Sequence, residues 1–355
     1  MVRWTSSHKI PFDCSPVPAK RARTAVIGDN VWIVGEFYRD STECVQIAVF
    51  DTKTLKATKV DIEAEYTRGW QLESVTNDDN HLYILMKRER RNEEFKNYKL
   101  WKFDTRNLKF EDEMRIRARN IVGKPQILGN ILHYLDRDSH EESVSIVKMD
   151  LVEKVVIATY ELAEASTNER LMLHDEKIYW SNLCEGYRVT AHYYEDWDFK
   201  LQGMGRDMWM IEEEDDYNTD HICVNDDQMM FYSMLPNKMG QYLFLDTFNY
   251  YKKHWQREVV KDFFDGKVPV DPNSIERIGD KTYVIVKQGV DNQASFSVRV
   301  LDVEPKLANL CMRSLATLAD KERDKTKLDS VMSRLPDDLK STLEILTKSR
   351  IRRYC

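Results

Sequence analysis

The sequence predicts an all-β protein, a six-bladed β-propeller that is followed by a short C-terminal α-helical segment. Three observations predict this fold. An apolar, β-rich strand recurs about every fifty residues, turn-forming residues precede each copy, and an aspartate ends the third strand of most copies. The strand-like texture stops at Pro305, so we assign residues 1–304 to the propeller and residues 305–355 to the helical segment.

The first copy of the repeat has the pattern of a four-stranded antiparallel meander. Strand-like runs at 24–27, 31–35, 45–51 and 55–60 are separated by turn residues such as Gly28, Asp29 and Asn30. The second strand then returns at Leu82, Ile131, Ile178, Met229 and Thr282, in steps of 51, 49, 47, 51 and 53 residues. The aspartates at the ends of third strands are Asp51, Asp104, Asp150, Asp246 and Asp302. These independent landmarks agree on one period.

Radial repetition explains how such meanders form a core, because it buries each sheet between two neighbours and leaves only short edges. The sixth copy lacks an outer strand, since its third strand at 296–302 runs directly into Glu304 and Pro305. We therefore predict that residues 2–6 supply the missing strand and close the ring, with Trp4 at an outer-strand packing position.

The repeat resembles the kelch propeller family over residues 24–302. The resemblance rests on the short apolar strand Ile33-Val34-Gly35, a variable loop, an apolar strand that ends in aspartate, and Trp255 on an outer strand. The double glycine of that family is reduced to Gly35 in one copy and is missing from the others. A generic propeller therefore stands beside the kelch interpretation.

Two amphipathic helices are predicted after the last repeat. Apolar residues of the first helix fall on one face, namely Leu307, Leu310, Cys311, Leu315 and Leu318. The second helix begins at Pro336, where Asp337 and Asp338 favour its positive end, and it aligns Leu339, Leu343 and Leu346. A charged connector at 320–325 separates the two.

This pair of helices is similar to the von Hippel-Lindau type of SOCS box. The resemblance implies that Leu307, Leu310, Cys311 and Leu315 dock into an apolar groove of Elongin C, within the Elongin B/C complex. It also implies that Leu335, Pro336, Leu339 and Leu343 select the scaffold cullin-2. One departure is Lys306, which stands where that family usually has Ser, Thr or Pro. The alternative is that both helices pack back onto the propeller as a cap.

Composition bounds the remaining function classes. The net charge is −7, and residues 306–355 carry 12 Lys/Arg against 7 Asp/Glu, which leaves −12 on the propeller. An acidic body argues against nucleic acid as a partner. No apolar run approaches about 20 residues, and the N-terminus lacks a signal-peptide core, so we expect no membrane contact and a cytoplasmic or nuclear location.

The sequence contains no recognisable pattern for catalysis, a cofactor or a metal. Its six cysteines include no Cys-x-x-Cys pair, and its histidines show no paired ligand spacing. The acidic run at 212–216 lacks the alternation and glycine of a calcium loop, which favours a solvated loop. We expect a protein that is not an enzyme. A propeller hydrolase with acidic groups in the central pore is the remaining catalytic hypothesis.

The loops between second and third strands lie on the propeller face that commonly binds partners. The most basic of them begins at Lys87 and continues through Arg88, Arg90 and Arg91. We predict that the substrate-binding residues are Lys87, Arg88, Arg90, Arg91, Tyr38, Arg39 and Arg137, which suits a peptide carboxylate or acidic degron. With the helical segment, the predicted function is a substrate receptor of an Elongin B/C cullin-RING ubiquitin ligase. A scaffold whose tail only caps the ring is the alternative.

Overall fold

A computed structural model describes most of the first 302 residues of the chain. The described ranges are 3–12, 21–39, 42–66, 69–88, 95–138, 143–162, 170–174, 177–184, 188–194, 201–202, 209–210, 218–224, 228–237, 240–249, 254–260, 270–278, 281–288 and 295–302. These ranges contain strands and turns, and no helix with the length and hydropathy of a membrane span occurs in them. The predicted helical segment at 305–355 lies outside them.

The strands of the first half of the chain form three four-stranded sheets. The chain begins with β1 (Arg3–Lys9). The first sheet contains β2 (Arg21–Ile27), β3 (Asn30–Arg39), β4 (Thr42–Asp51) and β5 (Lys56–Tyr66). The second contains β6 (Trp70–Asn77), β7 (His81–Arg88), β8 (Lys96–Asp104) and β9 (Lys109–Ala118). The third contains β10 (Ile121–Leu128), β11 (Ile131–Asp138), β12 (Ser143–Asp150) and β13 (Val155–Leu162).

Three further sheets follow. The fourth contains β14 (Arg170–His174), β15 (Lys177–Cys184), β16 (Arg188–Tyr194), and the two-residue strands β17 (Leu201–Gln202) and β18 (Trp209–Met210). The fifth contains β19 (Asn218–Val224), β20 (Gln228–Asn237), β21 (Gly240–Asn249) and β22 (His254–Val260). The last combines β23 (Val270–Ile278), β24 (Lys281–Gln288) and β25 (Ser295–Asp302) with β1. Side chains are described in four of the sheets, namely the first three and the last.

The first strand of each sheet lies beside the first strand of the next. Strand β2 contacts β6, β6 contacts β10, and the series continues through β14, β19 and β23 before it returns to β2. All neighbours within a sheet are antiparallel, as a meander requires. The sheets therefore surround a common axis, and the predicted all-β propeller is confirmed.

The N-terminal strand completes the last sheet. Strand β1 pairs with β25 in antiparallel register, from Arg3 opposite Asp302 to Lys9 opposite Ser297, with an irregularity between Trp4 and Ser6. The backbone N–H of Ile10 extends this pairing by donating to the carbonyl of Phe296 over 3.0 Å. The prediction that residues at the N-terminus supply the missing outer strand is confirmed. The last sheet therefore reaches four strands without any residue beyond Asp302.

Apolar layers between adjacent sheets form the described core. Buried residues of the first and second sheets, including Val34, Ile47, Leu72 and Ile84, share one layer. A second layer joins the second and third sheets, and a third joins the first sheet to the last through Ile33, Phe50, Ile285 and Val298. In the first and second sheets, each strand that lies inside the sheet contributes to a layer on both faces, which explains its nearly continuous apolar sequence.

The aspartate at the end of the third strand organises the following turn. The side chains of Asp51, Asp104 and Asp150 each accept hydrogen bonds from the backbone N–H groups two and three residues further on. Hydrogen bonds from the backbone and side chain of Asn107 lower the pKa of Asp104 to about 2. The repeated aspartate of the sequence is thus a repeated turn, in which the carboxylate replaces missing backbone partners.

Each of these turns ends in a left-handed residue that is not glycine. Leu55, Leu108 and Lys154 occupy the same position, four residues after the aspartate, with φ between 52° and 59°. A side chain with a Cβ is strained in this region. The strain is distributed over three equivalent turns.

Replacement of Leu108 by glycine should stabilise the protein. Leu108 is 44% exposed, so little packing is lost, whereas the left-handed backbone no longer clashes with a Cβ. We expect the free energy of unfolding to rise by about 0.5–1 kcal/mol, after the greater flexibility of glycine in the unfolded chain is subtracted. Urea denaturation of the wild type and Leu108→Gly measures this difference. Leu108→Ala keeps the strained Cβ, and an equal gain in that variant would contradict the explanation.

The buried side chain of His133 should make the stability of the protein sensitive to acid. His133 lies on β11 opposite Lys148 of β12 and is only 2% exposed. Burial, with the nearby positive charge of Lys148, lowers the pKa of His133 to about 4. The unfolded histidine titrates near its ordinary value of about 6.5, so the unfolded state binds more protons between these two values. The free energy of unfolding should therefore fall as the pH drops through this window.

We expect the wild type to lose about 2 kcal/mol of stability between pH 7 and pH 5 because of His133 alone. The variant His133→Phe has a ring but no titrating group. Its loss of stability between pH 7 and pH 5 should therefore be smaller than that of the wild type by about 2 kcal/mol. Denaturant unfolding of both proteins at the two pH values checks the difference. Equal pH slopes for the two proteins would exclude His133 as the source.

Candidate binding face

The predicted substrate-binding residues lie where second strands end. Lys87 and Arg88 end β7, and Arg137 is next to the last residue of β11. Tyr38 and Arg39 end β3, where the backbone but not the side chains is described. Arg90 and Arg91 lie outside the described residues. So do all tail residues predicted to bind Elongin C and cullin-2, namely Leu307, Leu310, Cys311, Leu315, Leu335, Pro336, Leu339 and Leu343.

Lys87 faces the junction between the second and third sheets. Its Nζ lies 3.4 Å from Oδ1 of Asn120, an oxygen that also accepts a hydrogen bond from Nζ of Lys96 over 2.7 Å. On its other side, Lys87 Nζ is 4.0 Å from Oε1 of Glu73. The ammonium group therefore connects two blades, and its side chain is only 14% exposed. This environment makes Lys87 mainly a structural group at the rim.

Arg137 joins a second polar junction on the same face. Its backbone N–H donates to the carbonyl of Asn120 over 3.0 Å, while the N–H groups of Arg119 and Asn120 donate to the carboxylate of Asp136. Burial raises the pKa of Asp136, although these hydrogen bonds oppose the shift. The guanidinium of Arg119 pairs with the carboxylate of Asp138. The described residues thus hold this part of the rim together through their own partners.

Arg88 lies in a row that crosses the whole second sheet. The strand registers place Trp70, Arg88, Asn97 and Arg117 opposite one another on four adjacent strands. Cζ of Arg88 lies 5.9 Å from the centroid of the Trp70 ring, and Cζ of Arg117 lies 4.8 Å from that of Phe95. Aromatic faces attract guanidinium groups and hold them flat. These two arginines are therefore ordered cations at the propeller rim.

Polar side chains of three blades meet in the central channel. Nζ of Lys124 in β10 donates to the carbonyl of Thr24 over 3.1 Å and lies 3.2 Å from Oε1 of Glu276 in β23. The same Glu276 oxygen accepts a hydrogen bond from Oγ1 of Thr24 over 2.6 Å, and Thr24 also contacts Ser274. Within the described residues, Glu276 thus meets a lysine at the axis. These contacts join the glutamate to a cation, whereas the hydrolase hypothesis requires a second carboxylate.

Irregular first strands explain why these side chains reach the axis. The register between β10 and β11 shifts between Val122 and Gln126, and Lys124 lies inside that interval. A similar shift between Pro272 and Ser274 precedes Glu276 in β23. A bulge rotates the following side chains out of the regular alternation. The sequence contains no clear sign of such a bulge apart from Gly123 and Pro125, and our sequence analysis missed this group.

Removal of the Lys124 ammonium group should destabilise the ring. The variant Lys124→Met removes an ammonium group that lies 3.2 Å from the carboxylate of Glu276, a residue that is 5% exposed. We expect the free energy of unfolding to fall by about 1–3 kcal/mol, because a nearly buried charge loses a charged hydrogen-bond partner. Urea denaturation measures the loss. The double variant Lys124→Met/Glu276→Gln should recover part of it, and a purely additive effect would contradict direct coupling.

A histidine and two carboxylates converge near the opposite end of the second sheet. Ligand atoms of His81, Asp104 and Glu111 all lie within 4.8 Å of one another, close enough to hold a metal ion. His81 and Asp104 are opposite each other in β7 and β8, which the sequence spacing did not reveal. Among the described residues, this cluster most resembles a metal site in its geometry. The expectation that the histidines form no metal site stays a prediction.

The members of this cluster already have protein partners. Nδ1 of His81 lies 3.0 Å from both carboxylate oxygens of Asp78, and Nε2 lies 3.5 Å from Oε2 of Glu111. Nζ of Lys102 is 3.3 Å from the same Glu111 oxygen, and Asp104 accepts the hydrogen bonds of its turn. The cluster is thus connected to its neighbours by hydrogen bonds and ion pairs. It therefore works as a polar network of the rim.

No protein-family model matches the sequence, and no curated protein matches it. Solved structures match in fold. The phage phi92 endosialidase has a TM-score of 0.56 and 8% identity, over 85% of this chain and 70% of that one. The Trypanosoma rangeli sialidase in complex with the inhibitor DANA has a TM-score of 0.53 and 12% identity, over 90% of this chain and 61% of that one. A neuraminidase-like protein of A/little yellow-shouldered bat/Guatemala/060/2010 has a TM-score of 0.50 and 9% identity, over 85% of this chain and 99% of that one.

These likenesses support the propeller fold alone. Two of the three proteins carry the names of enzymes, but identities of 8 to 12% transfer no activity to this chain. The expectation that this chain is not an enzyme therefore stays a prediction. The face that holds Arg88 and Arg117 is the candidate binding site.

Proposed function

We propose that this chain is a protein-binding substrate receptor of an Elongin B/C cullin-RING ubiquitin ligase. In this proposal a six-bladed, kelch-like propeller holds the target protein, and residues 305–355 recruit the ligase in the cytosol or nucleus. The chemistry takes place on the partner enzymes. The observation that carries the proposal is the closure of the last sheet by β1, which completes that sheet at Asp302.

Closure by β1 supports a separate task for the tail. A propeller whose last sheet lacks a strand must recruit the segment that follows, whereas here all four positions are filled from residues 3–9 and 270–302. The tail sequence carries apolar residues at helical spacing, with small and branched side chains at Leu307 and Cys311. An amphipathic helix of this type suits the groove of another protein. The ring does not need it as a strand.

The direct test is capture of purified Elongin B/C by the full-length protein. Each apolar anchor in such a groove is worth about 2 kcal/mol, so the variant Leu307→Asp/Cys311→Asp should bind at least about thirtyfold more weakly. Calorimetry or surface plasmon resonance measures the affinities. Leu328→Asp changes a tail leucine outside both motifs and serves as the matched control. Unchanged Elongin binding in the double variant would refute the docking proposal.

The predicted cullin-2 segment is tested by a separate binding measurement. Replacement of Leu335 and Leu339 by aspartate should abolish capture of cullin-2 while Elongin B/C binding is retained.

Truncation after Glu304 distinguishes the capping alternative, because a structural cap predicts a lower melting temperature for the truncated protein. A receptor tail predicts an unchanged melting temperature and a loss of Elongin binding.

A further inference from the structure

We propose that Arg88, Arg115 and Arg117 form an arginine cluster that binds an extended peptide with acidic side chains at alternate positions. The inference rests on the proposed function, since it names the chemical class of the receptor's ligand. It is carried by geometry on one face of the second sheet, where the residues are fully described. The tail plays no part in it.

The strand registers place the three arginines on one face. Arg88 and Arg117 are both opposite Asn97, on the two strands that flank β8, which separates their backbones by roughly 9–10 Å. Arg115 and Arg117 are two residues apart on β9, so their side chains leave the same face with a spacing of roughly 7 Å. An extended peptide repeats its side-chain direction at that same spacing. Alternate acidic residues would therefore match the two β9 arginines.

Among the described residues, aromatic rings and not carboxylates hold Arg88 and Arg117 in place. Their contacts in the described part of the chain are the faces of Trp70 and Phe95, and neither guanidinium lies within ion-pair distance of an acidic oxygen there. Nearby cations differ, because Lys99 pairs with Glu113 over 2.9 Å and Arg119 pairs with Asp138. A guanidinium that stacks through its face keeps its N–H edge for an external acceptor. The cluster therefore presents ordered donors to a ligand.

The position on the propeller allows a peptide to reach these donors. Strand β9 is the outermost strand of its sheet and pairs with β8 on one side only. Arg115 and Arg117 are exposed. The chain as a whole carries a net charge of −7, so a local group of three arginines stands out against an acidic protein. Charge complementarity favours a carboxylate-rich partner at this face over other parts of the surface.

Fluorescence anisotropy with a labelled peptide of alternating Glu and Ser tests the proposal on the full-length protein. The wild type should bind this peptide, and added salt should weaken binding because the contacts are exposed. The variant Arg88→Gln/Arg117→Gln should bind about tenfold more weakly. The variant Arg106→Gln/Lys109→Gln removes two cations from the far end of the same sheet and should bind as the wild type does. Melting temperatures show that each variant is folded.

Control ligands separate the alternatives. A Gln and Ser peptide that binds equally well would show that carboxylates are not recognised, and would overturn the proposal. Equal losses in the two double variants would reduce the effect to net charge and would also overturn it. Tighter binding of a phosphoserine peptide or of a single-stranded oligonucleotide would assign the face to phosphate and would overturn the proposal. A peptide with its glutamates in adjacent pairs should bind more weakly than the alternating one.

The two proposals can fail separately. Peptide affinity should be the same for the wild type and Leu307→Asp/Cys311→Asp, because the tail variant leaves the arginine cluster unchanged. Peptide binding without Elongin capture would leave the acidic-peptide site standing and refute the ligase connection. Elongin capture with no binding of the alternating peptide would refute the arginine cluster alone.

Discussion

The antiparallel pairing of β1 with β25 is the constraint on which the rest of the architecture depends. It joins residues 3–9 to residues 297–302 and gives the last sheet its fourth strand. The circle of contacts between first strands, from β2 around to β23 and back, has no free end when that sheet is complete. An open ring would expose the apolar layer between the first and last sheets, including Ile33 and Val298. Closure therefore protects both a core layer and a strand edge.

The channel and the rim use polar groups in different ways. At the axis, hydrogen bonds across three blades join Lys124, Thr24 and Glu276, so their polar groups already have partners within the protein. At the rim, Lys87 and Arg119 do the same with Asn120 and Asp138. Arg88 and Arg117 are different because, among the described residues, aromatic rings and not carboxylates hold them. This contrast favours the face of the second sheet over the central channel as the candidate binding site.

Periodicity made most of the described fold predictable. The recurring second strand and the terminal aspartate located the sheets, and the missing outer strand after Asp302 predicted the role of β1. The aspartates were useful because each repeats the same turn chemistry, as at Asp51, Asp104 and Asp150. Strand ends were less predictable: β5 continues to Tyr66, beyond the expected end at residue 60. Pairing across a bulge decides that length, and a single strand's sequence does not record it.

The candidate site was only partly predictable. The basic loop pointed to Arg88, whereas Arg117 and Trp70 belong to other strands and become neighbours only through register. The alternation of exposed and buried residues along β9 was the available signal, since it places Arg115 and Arg117 on one face. Lys87 and Arg137 are the next-to-last residues of β7 and β11, and their role in binding stays a prediction. The partners of Lys124 lie in strands about a hundred or more residues away, which local sequence cannot reveal.

Because the first described strand pairs with the last, β1 cannot form its hydrogen bonds until β25 has been synthesised. A ribosome adding about 5–20 residues per second needs roughly 15–60 s to extend the chain from β1 to β25. During that interval the N-terminal segment has no complement, and the nascent sheets expose an unsatisfied edge. Molecular chaperones that shield extended apolar segments on the ribosome would have their greatest effect on this protein before residue 302 emerges.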